Sequence, residues 1–111
     1  MYREEKIVDR LVKKYKTANP FELCLKMNIN IIYMNLGRLR GFYRHSNRCS
    51  FITINSTLPE NEQCIVCAHE LGHFVLHKGL NTLLLDNHDF HNKGITEIQA
   101  DRFSAYLMSH D

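Results

Sequence analysis

Two histidines and a glutamate lie within one pentapeptide, His-Glu-Leu-Gly-His at residues 69–73. On an α-helix, residues four apart share one face, so the imidazoles of His69 and His73 can bind one small cation. Glu70 flanks that face, and its carboxylate can reach a water held by the metal without being a ligand itself. This spacing is the H-E-x-x-H arrangement of zinc hydrolases, in which the histidines bind the metal and the glutamate is the general base.

The residues around the pentapeptide predict the helix that it needs. Pro59 suits the first helical position, because its missing N–H has no intrahelical partner to lose. Residues 64–76 are apolar almost throughout outside the pentapeptide, as in a helix that is buried on most sides. Lys78 and Gly79 are suited to end it. Gly72 costs about 1 kcal/mol relative to alanine inside a helix, and we interpret it as a point where another segment approaches closely.

A third metal ligand must come from elsewhere, and residues 94–108 offer one. Thr96 and Gln99 have the spacing of a capping box, which predicts a helix that begins at Glu97. The Glu97 carboxylate would complete a site of two histidines and one glutamate, with the fourth position open to water. Asp101, one turn later, would accept the second ring N–H of a ligating histidine and fix its tautomer. The alternative is that Glu97 only stabilises the helix dipole and that Asp101 is solvated.

These paired motifs resemble those of the ImmA/IrrE family of small zinc metallopeptidases, found on phages and integrative elements. The resemblance rests on the pentapeptide and on Glu-x-x-Ala-Asp-x-Phe-x-Ala-x-Leu-Met at residues 97–108, and it extends over most of the chain. It implies a cytoplasmic, gluzincin-like protease that cleaves a helix-turn-helix repressor and so induces a mobile element. By match of motif, His69, His73 and Glu97 would bind one zinc ion, and Glu70 would be the base.

The predicted reaction is hydrolysis of a peptide bond within a specific protein. Zinc would lower the pKa of its bound water towards about 7, and Glu70 would take the proton as the oxygen attacks the carbonyl. The alternative is a non-catalytic module, in which the metal only shapes a surface that binds a regulator. The intact Glu70 favours the enzyme, because binding alone requires no base there. A purely structural zinc site is disfavoured, since only three protein ligands are evident.

Length and composition exclude several other classes of protein. A chain of 111 residues predicts one domain, residues 1–111, without a need for stabilising disulfides. The formal charge of +2 is too small to indicate a nucleic-acid or anionic-membrane partner, and no segment approaches the length of a membrane span. The first six residues are charged where a signal peptide would be apolar. We therefore expect a cytoplasmic protein with a protein partner.

The four cysteines do not have the pattern of a disulfide framework. Cys64 and Cys67 lie three residues apart on the predicted buried helix, just before His69. A thiolate zinc site there is disfavoured, because Cys67 lies about 200° around the helix from His69. We predict core thiols in a reducing compartment.

The remaining patterns predict an α+β fold, and the family resemblance implies that it is a minimal version of the gluzincin architecture. N-terminal helices and a small, mostly antiparallel three-stranded sheet would precede the motif helix and the C-terminal helix with Glu97. An edge strand beside the motif helix could bind a substrate segment as an additional strand. The predicted elements are an amphipathic helix over 3–16, a short helix over 20–26, a strand over 29–36 and a hairpin over 41–55.

Three further side chains are weaker candidates for stabilising the oxyanion. Tyr43 lies in the predicted hairpin, and His88 and His91 lie in the irregular segment 80–93 between the two ligand-bearing helices. Each histidine could also be an extra ligand, although loop histidines are more often solvated. The other histidines outside the pentapeptide rank lower: His45, His77 and His110.

Overall fold

A computed structural model describes residues 1–77 and 90–110, and their side chains except for those of residues 90–93. Within these residues the chain forms an α+β fold, as predicted. The helices are α1 (Arg3–Tyr15), α2 (Pro20–Lys26), α3 (Glu60–His77) and α4 (Phe90–Met108), and the strands are β1 (Ile29–Met34), β2 (Gly41–Ser46) and β3 (Cys49–Asn55). No helix in the described part of the chain is long and apolar enough to span a bilayer. The predicted helix end at Lys78 and Gly79 lies outside the described residues.

The three strands form a mixed sheet in the order β1-β3-β2. We predicted a mostly antiparallel sheet, and one of the two pairings is antiparallel while the other is parallel. The β2–β3 turn explains the arrangement, because Asn47 and Arg48 both have positive φ, as tight two-residue hairpins require. The hairpin gives one edge of β3 to β2, and β1 pairs with the other edge. The chain reverses direction between β1 and β2 and again in the hairpin, so β1 runs parallel to β3.

Helix α3 lies at the centre of the packing and contacts β2, β3, α2 and α4. Leu71 is fully buried on this helix, and it belongs to the same core cluster as Ile52 of β3 and Phe103 of α4. Helix α1 packs on the outer helix α4. Because α3 is held by the sheet and by two helices, the direction of its polar face is fixed by the core.

Helix α4 begins earlier than predicted. We expected it to begin at Glu97, with Thr96 as the cap, but it begins at Phe90. Thr96 is therefore inside the helix and buried, and the Gln99 side chain contacts His77 rather than the cap backbone. The prediction was wrong because a helix that has already formed gains one hydrogen bond for each residue added. Gly94 costs only about 1 kcal/mol within it.

The cysteines are free thiols that differ in exposure. Cys24 and Cys67 are buried in the core, and their sulfur atoms lie 3.8 Å apart. The contact with the Cys24 thiol and burial together hold the pKa of Cys67 well above its usual range. The prediction of core thiols is therefore confirmed for this pair, whereas Cys49 is exposed and Cys64 is half-buried.

Gly72 allows α4 to approach α3 closely, as its position in the helix predicted. A Cβ atom at Gly72 would lie 3.0 Å from Cδ1 and 3.2 Å from Cβ of the Phe103 side chain. Phe103 is fully buried, so it has little room to move aside. The same helix pair carries His73 and Glu97, so this close packing helps to bring their side chains together.

Replacing Gly72 by valine should therefore lower the free energy of unfolding by about 1–3 kcal/mol, the usual cost of overpacking a core. Urea denaturation of the metal-free protein measures the change. Gly94→Val is the matched control, because it makes the same substitution where a Cβ meets nothing within 4 Å. That variant should change the free energy of unfolding by less than about 0.5 kcal/mol, since valine has a slightly better helix propensity than glycine. Equal effects at both glycines would contradict the proposed role of the Phe103 contact.

Candidate metal centre

Side chains from α3 and α4 converge on one point at the protein surface. His69 and His73, one turn apart on α3, have ring centroids 4.8 Å apart. The Oε2 atom of Glu97 on α4 lies 2.8 Å from Nε2 of His69 and 3.2 Å from Nε2 of His73. The structure therefore brings together the three residues that the sequence suggested as metal ligands.

The chemistry and spacing of these three donors fit a divalent metal ion. Two imidazole nitrogens and a carboxylate oxygen are a common ligand set for zinc in catalytic sites. With metal–ligand bonds of about 2.0–2.1 Å, tetrahedral ligand atoms lie roughly 3.3 Å apart. The 2.8 Å and 3.2 Å contacts of Glu97 are close to this spacing. Only small side-chain movements are needed to accommodate an ion between the three donors.

Electrostatics favour the protonation states that bind a metal, a neutral imidazole and an ionised carboxylate. Burial lowers the pKa of His73 below its usual value, against the opposing charge of Glu97. Burial alone would raise the pKa of Glu97, but His73 and His69 outweigh it and hold that pKa below its usual range.

Glu70 is also a residue of α3, and its carboxylate lies beside the two histidines. One possible ligand atom from each of His69, Glu70 and His73 lies within 4.8 Å of the others. Burial raises the pKa of Glu70 to about 7, although the charge of His69 opposes it. A carboxyl group with a pKa close to neutrality can both accept and return a proton at physiological pH.

The raised pKa of Glu70 should make the metal-free protein less stable as pH rises. Below pH 4.5, its ordinary pKa, the carboxyl is protonated in both states, whereas between 4.5 and about 7 only the unfolded chain ionises it. The folded state then binds more protons, so the free energy of unfolding falls over this window, by roughly 3 kcal/mol in total. Denaturation of wild type and Glu70→Gln from pH 4 to 8 isolates the effect. Parallel stability curves would contradict it.

The ring nitrogens that do not face Glu97, Nδ1 of His69 and Nδ1 of His73, also have partners. Asp101 Oδ1 lies 2.9 Å from Nδ1 of His69, on the side where the sequence placed a carboxylate. Nδ1 of His73 lies 3.1 Å from Nδ1 of His77, and Nε2 of His77 lies 2.8 Å from Oε1 of Gln99. We did not predict from the sequence that His77 would be a partner of His73, or Gln99 a partner of His77. The signal was present, since His77 follows His73 by the same four residues that separate His73 from His69.

A cleft of about 310 Å³ opens beside the cluster. It is lined by Arg40, Ile65, Val66, His69, Glu70 and Asp101. The loop that carries Arg40 is anchored by Asn55, whose side-chain amide donates to the carbonyls of Gly37 and Leu39. No local sequence pattern indicates that the turn with Arg40 folds back to α3. Glu70 therefore lines a cleft that also includes Arg40 from the loop before β2.

The weaker candidates make contacts elsewhere or lie outside the described residues. The Tyr43 ring meets the Phe74 ring edge-on, with centroids 5.5 Å apart, and burial raises the pKa of Tyr43. His45 Nδ1 lies 2.7 Å from the Ser50 hydroxyl, and His110 Nε2 lies 3.1 Å from a carboxylate oxygen of Asp9. His88 and the side chain of His91 lie outside the described residues, so their roles remain predictions.

Similarity to known proteins covers most of the chain. Residues 24–110 match the sequence model of a peptidase family, Peptidase M78, described as the IrrE N-terminal-like domain. The chain is 42% identical over 105 residues to "Uncharacterized immunity region protein 2" of Bacillus phage phi105, and 36% identical over 104 residues to "Metallopeptidase ImmA" of Bacillus subtilis (strain 168). Each alignment covers 94% of this chain, but only 66% and 62% of the respective relatives. The chain thus spans just under two thirds of their length.

Proposed function

The chain belongs to the ImmA/IrrE peptidase family, and on that premise we propose that it is a zinc-dependent endopeptidase with His69, His73 and Glu97 as metal ligands. The observation that carries this proposal is the convergence of His69 Nε2 and His73 Nε2 on one oxygen of Glu97. A zinc ion held by these atoms would accept the lone pairs of both imidazoles and balance the charge of the carboxylate.

Glu70 is the proposed general base of the reaction. The metal, when bound, polarises the peptide carbonyl and makes water acidic enough to react near neutral pH. The Glu70 carboxylate accepts the proton of the attacking water and then delivers it to the leaving amine. Its position beside both histidines supports both transfers, because one possible ligand atom from each of His69, Glu70 and His73 lies within 4.8 Å of the others.

Asp101 is the proposed partner that orients His69. Its carboxylate accepts the Nδ1–H of His69, which leaves the lone pair on Nε2 directed towards Glu97. Such carboxylate–histidine pairs fix the tautomer and raise the basicity of the ligand. Asp101 lines the same cleft as Glu70, so the orienting group and the base lie on the side from which substrate approaches.

The proposed substrate is a specific cytoplasmic protein, namely a helix-turn-helix repressor of a phage or mobile element. The names of the two relatives, a metallopeptidase and a phage immunity-region protein, support a protein substrate of this kind. The cleft beside Glu70 and the edge position of β2 support binding of an extended segment. A peptide that adds to an edge strand gains main-chain hydrogen bonds, and side-chain pockets then give specificity.

Incubation with a purified helix-turn-helix repressor from the same genome tests the proposal. The zinc-loaded protein should produce two discrete repressor fragments on a denaturing gel, and excess chelator should abolish them until zinc is restored. His45→Ala is the matched control, because it removes a histidine that contacts Ser50 in the hairpin, and it should cleave normally. A stable complex with intact repressor would instead favour the non-catalytic regulator-binding module.

A further inference from the structure

His77, the last residue of α3, is a buried histidine with both ring nitrogens in hydrogen-bonding contact. Only 7% of the residue is exposed, so neither nitrogen can rely on water. Nε2 lies 2.8 Å from Oε1 of Gln99, and Nδ1 lies 3.1 Å from Nδ1 of His73. A row of three side chains, Gln99, His77 and His73, thus leads from the interior of the α3–α4 interface to the metal cluster.

The order of donors along this row follows from the acceptor at its start. The Gln99 carbonyl oxygen only accepts, so His77 Nε2 carries a proton and donates it. A neutral His77 then has its lone pair on Nδ1, where it accepts the Nδ1–H of His73. His73 is left with a lone pair on Nε2, the nitrogen that faces Glu97.

The opposite order is incompatible with a metal at His73. If the Gln99 amide were turned so that its nitrogen donated to His77 Nε2, His77 would donate from Nδ1 and His73 would accept at Nδ1. A neutral His73 would then carry its proton on Nε2, between itself and Glu97, and that proton would block coordination. Only one of the two possible rows therefore leaves His73 able to bind a metal.

We propose that His77 and Gln99 are positioning residues that hold His73 as its Nδ1–H tautomer, with Nε2 free to bind the metal. This inference rests on the proposed function, because it concerns His73 as a ligand. The two ligating histidines are thus oriented differently. His69 uses the Asp101 carboxylate, which is 72% exposed, whereas His73 uses a neutral pair inside the α3–α4 interface.

A neutral partner suits the position of His73. Glu70 and Glu97 already place two carboxylates beside the two proposed histidine ligands. A third carboxylate at the buried position of His77 would be desolvated, and it would disfavour ionisation of its neighbours. An uncharged histidine supported by an uncharged amide orients the ligand without adding that charge.

Zinc affinity, measured by competition with a chromogenic chelator, tests the row. His77→Phe keeps a ring of similar size but removes the acceptor, and it should weaken zinc binding by about 10–100-fold, as for other outer partners of metal ligands. His77→Asn should bind within a few-fold of wild type, because the asparagine oxygen can lie where Nδ1 was. Gln99→Leu should have an intermediate effect, since His77 keeps its contact with His73 but loses its own orientation.

Nuclear magnetic resonance of the His73 Nδ1 proton provides a second measurement. Its signal would not change if His77 only stabilised the fold. In the zinc-loaded wild type and His77→Asn, the Nδ1 proton of His73 should be protected from solvent and visible, and in His77→Phe it should disappear by exchange. His45→Phe is the matched control, as it makes the same change in the hairpin. Circular dichroism confirms that each variant is folded.

Each outcome of these measurements either supports or overturns the inference. A folded His77→Phe protein that binds zinc as tightly as wild type would overturn it, with the proposed function intact. If His77→Phe does not fold, Gln99→Leu decides, and unchanged affinity with an unchanged His73 signal would overturn the inference. A wild-type protein that takes up no zinc would refute the proposed function and this inference together.

Discussion

Replacing Glu70 by glutamine should abolish repressor cleavage while the protein still binds its metal. Glutamine has nearly the same shape but cannot take a proton from the attacking water, and a positioned general base contributes about 10²–10⁴-fold to the rate. We therefore expect cleavage to fall by at least this factor. Zinc stoichiometry should stay unchanged, because the proposed ligands are His69, His73 and Glu97. Cleavage assays at saturating zinc, with metal analysis of the same samples, measure both quantities.

Glu62→Gln is the matched control for this variant. Glu62 lies in the first turn of the same helix, two turns before Glu70, and it is only half-buried. The substitution makes the same chemical change without touching the cluster, and cleavage should continue at the wild-type rate. Undiminished proteolysis by Glu70→Gln would remove Glu70 as the base. Loss of cleavage in both variants would point to a general effect of charge on the helix.

Replacing His73 by alanine should remove metal binding and cleavage together. The change deletes one of three proposed ligands, so zinc affinity should fall by more than the roughly 10–100-fold typical of outer partners. The fold should persist, because the core of α3 is built from apolar residues such as Leu71 and Phe74. Isothermal titration with zinc, far-UV circular dichroism and the repressor assay measure the three properties.

Chelation of wild type should reproduce the His73→Ala result, since both remove the metal from a core that does not depend on it. His45→Ala again provides a control for the loss of an imidazole outside the cluster. Normal cleavage by His73→Ala would contradict its role as a ligand. Complete unfolding on chelation would show instead that the metal is structural and that the α3–α4 contact is too weak to hold the site.

The two variants together separate the enzyme from the regulator-binding module. If the protein is an enzyme, both Glu70 and His73 are needed to form repressor fragments. If it only binds the repressor, His73 is needed to hold the metal that shapes the surface, but Glu70 is not. Glu70→Gln should therefore trap a complex with the intact repressor, which size-exclusion chromatography detects. A repressor that dissociates from its operator equally well with wild type and Glu70→Gln, without fragments, would favour regulation by binding.

Local interactions explain what the sequence alone could predict about the fold. Helix α2 begins where Asn19 and Pro20 predicted, and the Asn19 side chain accepts hydrogen bonds from the backbone N–H groups of Phe21 and Glu22. The β2–β3 turn lies between residues 46 and 49, within the predicted hairpin over 41–55. Each of these features depends on residues within four positions of one another, which a sequence pattern shows directly.

The same reasoning explains how much of the candidate site could be predicted from the sequence. The four-residue spacing of His69 and His73 fixes their relative position once a helix forms, and Glu97 was identified because a two-histidine site needs a further donor. Their convergence depends on how α4 packs against α3. The contact of Gly72 with Phe103 brings the helices close enough for Glu97 to reach both histidines.

The remaining features were decided by tertiary packing, because they join residues that are distant along the chain. The sequence determined a motif helix and a suitable set of donors. Only the folded structure made β1 run parallel to β3, extended α4 back to Phe90 and placed Arg40 at the cleft. In the folded structure Gln99 contacts His77, whereas the sequence predicted that Gln99 would cap the helix. Helical and strand periodicities show which face a side chain occupies, but the element that meets that face is selected by the whole core.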